Sequence, residues 1–176
     1  MFDVRTLSTT DLPDAASLLK QYTREVLNVE TPVTEDALAR DGFGSRFTMI
    51  VAERRLDGRI VGFAAWQDSY DLHWGIRGGE VIDMYVRPEC RGYGIAPRML
   101  NLAAKQIHLR GGTFMKRQGL YGGTQPSKLY QRIAIGCPGV DCILGGRAFR
   151  AFAGLPGDSL RELIRNLPKK EWNYLP

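Results

Sequence analysis

The stretch that most constrains this chain runs from Val81-Ile82-Asp83-Met84-Tyr85-Val86-Arg87-Pro88 through Glu89-Cys90-Arg91-Gly92-Tyr93-Gly94 into Ile95-Ala96. Residues 80–87 are rich in β-branched and aromatic side chains and predict a strand that Pro88 ends. Over 94–110, Ile95, Met99, Leu102, Ala103 and Ile107 repeat on one helical face, with Arg98, Asn101, Lys105 and His108 on the other. Pro97 falls in the first turn of that helix and Gly111-Gly112 terminates it. A strand that enters a long helix through a tight turn aims several unpaired backbone N–H groups at one point, and the helix dipole adds positive potential there. The junction therefore suits an anion, most simply a pyrophosphate. Gly92 and Gly94 let a phosphate approach the backbone, and Arg91 adds a fixed positive charge. Two common phosphate motifs fit less well, because the third place of G-x-G-x-x-G is Pro97 and no Gly-Lys-Ser/Thr follows.

Around this junction the chain predicts an α/β (α+β) fold. Strands are expected at 2–7, 47–53 and 60–66, the last two joined by an Asp57-Gly58 hairpin turn. Thr10 or Asp11 would cap a first helix with Leu12, Ala15, Ala16, Leu19, Tyr22 and Val26 at helical spacing. Thr34 with Glu35 and Asp36 starts a second, short helix that Gly42 and Gly44 end. Residues 67–79 read as a polar and aromatic loop closed by Gly78-Gly79. A strand at 113–118, a short helix at 126–134, strands at 140–144 and 147–152, and a last helix at 159–166 follow. This order gives a mixed central sheet with helices on both faces, in a single domain spanning 1–176.

The 176 residues carry a net charge of +5, with basic residues scattered and adjacent only in pairs. That pattern suits an anionic ligand or a solvated surface and lacks the long basic blocks of a nucleic-acid arm. Cys90, Cys137 and Cys142 have no repeated spacing, which suggests free thiols in a reducing compartment, hence the cytoplasm, rather than a disulfide framework or a zinc site. No segment approaches the roughly 20 apolar residues that span a bilayer, so no membrane association is expected.

Arg91-Gly92-Tyr93-Gly94-Ile95-Ala96 resembles the R/Q-x-x-G-x-G/A acetyl-CoA signature of the GNAT acetyltransferases, with the strand before it and the helix after it. The run from Trp74-Gly75 through Asp83-Met84-Tyr85-Val86-Arg87-Pro88 is similar to the spermidine/spermine (diamine) N-acetyltransferase branch. The resemblance implies a mostly antiparallel sheet and acetyl-CoA as cosubstrate. It implies that Met84 and Val86, flanking Tyr85, pair with the pantetheine arm, and that amides around Gly92, Tyr93, Gly94, Ile95 and Ala96 take the pyrophosphate beside Arg91. Leu129-Tyr130 resembles the family's Leu-Tyr pair, whose tyrosine protonates the departing thiolate. Where the branch has an adjacent Glu-Asp pair, this chain has Ile82 and Asp83.

Acetylation needs a neutral amine, and an alkylamine with a pKa near ~10.4 must first lose a proton. Glu80 and Asp83 are the carboxylate candidates. Strand alternation places Glu80 on the face of Ile82 and Asp83 on the opposite one. His73 is the better-placed histidine, and Asp71, His73 and Trp74 form an acidic and aromatic group able to enclose a cationic amine. The expected acceptor is a small-molecule primary amine. A protein or aminoacyl-tRNA amino group is the alternative that the basic composition raises, and a non-catalytic acyl-CoA-binding module is the alternative that Ile82 raises. Trp172-Asn173-Tyr174 either covers a neighbouring surface or closes a homodimer contact.

Overall fold

The computed structural model describes residues 1–73 and 75–117, all within one compact unit, Met1–Ala134. Trp74, Tyr130, Cys137, Cys142, Trp172 to Tyr174 and every element expected beyond residue 117 lie outside the described residues, as does the far part of the single domain expected over 1–176.

Five strands, β1 (Phe2–Thr6), β2 (Thr48–Arg54), β3 (Ile60–Asp71), β4 (Ile76–Val86) and β5 (Phe114–Arg117), form one sheet in that order. The first three pairings are antiparallel and β4–β5 is parallel. Helix α3 (Ile95–Leu109) covers one face, where Met99, Leu100, Ala103 and Ile107 meet Ile50, Ala64, Trp66 and Val81. Helices α1 (Leu12–Tyr22) and α2 (Glu35–Asp41) cover the other, where Ala15, Leu18, Tyr22 and Leu38 meet Met49, Val51, Phe63 and Tyr85. Both faces are dry because the central strands read as continuous apolar runs, as strands covered on both sides do.

The local signals act where expected. Thr34 Oγ1 accepts from Ala37 N–H at 3.2 Å at the start of α2, and Gly58 takes φ +70° in the β2–β3 turn. Helix α1 starts at Leu12 with Asp11 in the N-cap position, as expected, although the Asp11 side chain makes no cap bond to α1. A tight helical turn at Thr9–Asp11 precedes α1, and the Asp11 carboxylate accepts from both the N–H and the hydroxyl of Ser8 at 2.7 Å. Arg5 holds that carboxylate from the other side at 2.6 and 2.8 Å, lowering its pKa to about 2.

Two departures from the sequence reading shape the site. Residues 67–79 are not a loop but the outer arm of a long β3–β4 hairpin, paired from Gln67↔Glu80 to Asp71↔Ile76. Gly78 and Gly79 stand inside β4, where a Cβ on Gly79 would lie 2.3 Å from Ile107 Cδ1 and one on Gly78 2.5 Å from Phe114 Cδ1. They are small because α3 and β5 pack onto them, not because the chain turns. Gly79→Ala should therefore destabilise the fold by about 1–3 kcal/mol, since Ile107 is buried and cannot swing aside; urea unfolding measures it.

The second departure is a bulge. Ala65 pairs with Asp83 and Trp66 with Val81, which leaves Ile82 as an extra residue on β4. Directly paired residues share a face, so Glu80, opposite Gln67, and Asp83, opposite Ala65, project to the same side of the sheet. The expected opposition of Glu80 and Asp83 is thereby corrected: the inserted residue resets the two-residue alternation.

Candidate active site

β4 pairs with β5 only over Gly78–Val81. From Ile82 to Val86 it keeps β3 on one side and meets no strand among the described residues on the other. This half-strand ends at Arg87-Pro88, and a short helical turn, Pro88–Cys90, leads to the start of α3. Gly92 and Gly94 both adopt the left-handed conformation, φ +85° and +73°, and a Cβ built on either would meet no heavy atom within 4 Å. A backbone with positive φ facing open space, next to the N-terminus of a 15-residue helix, fits a phosphate-bearing ligand.

The surrounding residues divide by face. Ile95 is buried under the sheet and anchors α3, while Ala96 and Met84 pack at the margin of the same core. Val86 is buried there too, and Tyr93 is exposed, its ring 5.8 Å from that of Phe2. Arg91 donates from Nε to Val86 O at 3.0 Å and lies with its guanidinium 5.7 Å from the Tyr85 ring centre. It thus ties the end of β4 to the turn while remaining exposed.

On the α1 face, Asp83 accepts a 2.5 Å hydrogen bond at Oδ1 from the hydroxyl of Tyr22. Burial pushes the Asp83 carboxyl above the usual range, opposed by the Tyr22 hydrogen bond and the charge of Arg117. Burial, then the bond to Asp83, pushes the Tyr22 phenol well above its ordinary value. Beside this pair, the Tyr85 hydroxyl donates to Glu25, in the π-helical turn Thr23–Leu27 that prolongs α1. Burial first and then Glu25 raise Tyr85 to about 12. Gln21 donates to the other Glu25 oxygen at 2.6 Å and accepts from Arg87 at 2.5 Å. Glu80 lies 3.5 Å from Lys116 Nζ of β5. Asp83 is thus a half-buried carboxylate whose protonated form is favoured by desolvation, on the part of β4 that β5 leaves unpaired.

Glu80 and Asp83 lie on β4 with Met84, Tyr85 and Val86, and β4 leads through the Pro88–Cys90 turn to Arg91 and the start of α3; Asp71 and His73 lie elsewhere. Those two sit at the tip of the β3–β4 hairpin, where His73 N–H donates to Asp71 Oδ1 at 3.0 Å. From Ala65, opposite Asp83, to Asp71 is six residues along β3, about 20 Å at ~3.3 Å each. Tyr22 and Glu25 were missed as site residues. Tyr22 reads as one apolar position of an amphipathic helix, and the available signal was its polar tip, since a buried tyrosine hydroxyl requires a partner.

Residues 45–133, about half of the chain, match the family described as an acetyltransferase (GNAT) domain. Thialysine N-epsilon-acetyltransferase of Bos taurus is 29% identical over 147 residues, covering 79% of this chain and 82% of that protein. The Mus musculus protein of the same name is 25% identical over 169 residues, covering 91% and 95%. Among solved structures, a ribosomal-protein-alanine N-acetyltransferase from Brucella melitensis biovar Abortus 2308 superposes with TM-score 0.66 at 25% identity, over 83% of this chain and all of that one. An aminoglycoside acetyltransferase from an uncultured soil metagenomic sample shares the fold, with TM-score 0.68 at 18% identity over 83% and 99% of the two chains.

Proposed function

This chain belongs to the GNAT acetyltransferase family and is an N-acetyltransferase, and from that premise we propose that it transfers the acetyl group of acetyl-CoA to a primary amine of a small molecule. Acetyl-CoA supplies an activated thioester that a neutral amine attacks directly. The single observation that carries the reading is the position of Asp83, a half-buried carboxylate on the part of β4 that β5 leaves unpaired and that runs on into the glycine turn.

The residues divide the work. Amides around Gly92, Gly94 and Ala96, with the N-terminus of α3, hold the pyrophosphate, and Arg91 adds charge beside it. Met84 and Val86 offer backbone groups along the half of β4 that β5 does not cover. Asp83 accepts the proton that the ammonium form of the acceptor must lose. Glu80, on the same face and paired with Lys116, is the second carboxylate candidate for accepting that proton. Tyr130, outside the described residues, is the proposed donor to the departing sulfur. The thialysine N-epsilon-acetyltransferases, named for an amino acid with a distal amine, support a small acceptor of that kind.

A second reading is an acceptor amino group on a protein, supported by the likeness to the Brucella ribosomal-protein-alanine N-acetyltransferase and by the net charge of +5. The test is acetyl-CoA binding by calorimetry followed by thiol release on a panel containing thialysine, polyamines, aminoglycosides and alanine-initiated peptides. Release on one small amine supports the first reading and release on the peptides alone the second. Binding without release on any member points to a non-catalytic acyl-CoA-binding module, and no binding overturns all three.

A further inference from the structure

The buried stripe of α1 ends on Tyr22, 2% exposed, whose ring packs edge-on to Phe63 and tilted against Tyr85, both at 5.6 Å between centres. These two ring contacts and near-complete burial hold the phenol in place, so its hydroxyl stands at one place relative to β4. That place is Oδ1 of Asp83. We propose that Tyr22 is a positioning residue for acetyl transfer, its hydroxyl engaging Oδ1 of Asp83 so that Oδ2 is the oxygen that receives the proton of the acceptor amine. The inference rests on Asp83 being the base.

The chemistry follows from the donor and acceptor inventory. An ionised carboxylate only accepts, and a lone pair already engaged by a strong O–H donor is less basic than its free counterpart. Tyr22 remains a donor throughout the working range because burial and the adjacent carboxylate both oppose its ionisation. The proton balance is therefore simple. The ammonium N–H bond breaks and Oδ2–H forms; the nitrogen keeps the electron pair that attacks the thioester carbon, the C–S bond breaks with its pair leaving on sulfur, the acetylated nitrogen loses its second proton as the sulfur gains one, and Tyr22 neither gains nor loses a proton.

The other groups around Asp83 do not substitute for Tyr22. On β4, Glu80 and Tyr85 share its face, Glu80 lying against Lys116 of β5 and Tyr85 bonded to Glu25 at the end of α1. Arg117 of β5 acts on Asp83 through charge, and the β3 residue opposite is Ala65. Tyr22 and Arg117 favour the ionised carboxylate, and burial disfavours it. Removing the Tyr22 hydroxyl leaves burial less opposed, so Asp83 must hold its proton to higher pH.

The experiment compares wild type, Tyr22→Phe and Asp83→Asn, with thialysine as the probe acceptor, and records the pH profile of kcat/KM alongside a ¹³C titration of the Asp83 carboxyl. Tyr22→Phe keeps the ring and its packing. We expect a roughly tenfold lower kcat/KM at neutral pH that recovers as pH rises, an acidic limb and a ¹³C midpoint both displaced upward, and an unchanged KM for acetyl-CoA. An acidic limb and ¹³C midpoint that stay in place in a folded Tyr22→Phe protein overturn the role of Tyr22. An Asp83→Asn enzyme that keeps its turnover and its acidic limb overturns the base assignment instead. If thialysine is not turned over, the ¹³C midpoint alone decides. If Tyr22→Phe fails to fold, the wild-type Asp83 ¹³C resonance decides: a hydrogen–deuterium isotope shift through the Tyr22 hydroxyl supports the contact, and its absence removes it.

Discussion

Asp83→Asn is expected to lower kcat by about 100-fold or more, the usual scale for loss of a general base, while leaving acetyl-CoA binding intact and raising the thermal stability of the protein near neutral pH. The two effects share one cause. Burial raises the folded-state pKa of Asp83 above the ~3.9 of an unfolded chain. For an acid shifted in that direction the folded state binds the proton more tightly than the unfolded state does, so at pH above the folded pKa the ionised side chain works against folding. Asparagine removes that opposition and can still accept from the Tyr22 hydroxyl with its amide oxygen. The gain in Tm should be present near neutral pH and fade as pH falls through the folded pKa toward the unfolded value, where aspartic acid is neutral in both states. Calorimetric Tm as a function of pH, with acetyl-CoA titrations in the same preparations, measures both halves. A variant that loses activity and stability together would mean that Asp83 serves packing. A stabilised variant with unaltered turnover would mean that another group takes the proton, Glu80 being the other carboxylate of β4 on that face.

That trade-off also shows why parts of the molecule were legible and others were not. The strand–turn–helix junction declares itself because each of its parts is locally determined: Pro88 stops a strand, Gly92 and Gly94 permit left-handed backbone, and the apolar spacing from Ile95 to Ile107 can only be one face of a helix. The caps of α2 and the Asp57-Gly58 turn are local in the same sense. What escaped is tertiary in origin. Gly78-Gly79 looks like a loop end, and only the presence of Ile107 and Phe114 above it reveals a strand that must be thin at that point. The bulge at Ile82 leaves no mark in a run where nearly every residue suits a strand, yet it decides which face Asp83 occupies. Tyr22 was visible as a helix position but not as a hydrogen-bond donor, because its partner lies 61 residues away in the chain. Asp71 and His73, close to Asp83 in the sequence, stand at the tip of an extended hairpin, with Asp71 about 20 Å along β3 from the residue opposite Asp83.

Gly94→Ala should separate what a left-handed glycine does for the fold from what it does for the ligand. An L-residue in that conformation costs roughly 1–2 kcal/mol, and since no heavy atom lies within 4 Å of the new Cβ, no steric term adds to it. The protein should therefore fold, with a modestly lower Tm. The methyl group would instead occupy the open side of the turn, where a phosphate must come close to the backbone at the N-terminus of α3. Acetyl-CoA affinity is expected to fall by at least about tenfold, equivalent to ~1.4 kcal/mol. Gly111 supplies the control, since it has φ +82°, equally open surroundings, and a place at the opposite end of the same helix. Gly111→Ala carries the same backbone strain and should lose similar stability with no change in acetyl-CoA binding. Equal losses of affinity in both variants would show that general strain in α3 weakens binding and would remove the cradle from Gly94. A loss confined to Gly94→Ala would assign the pyrophosphate to that turn, because conformation is matched between the two sites and only the ligand distinguishes them.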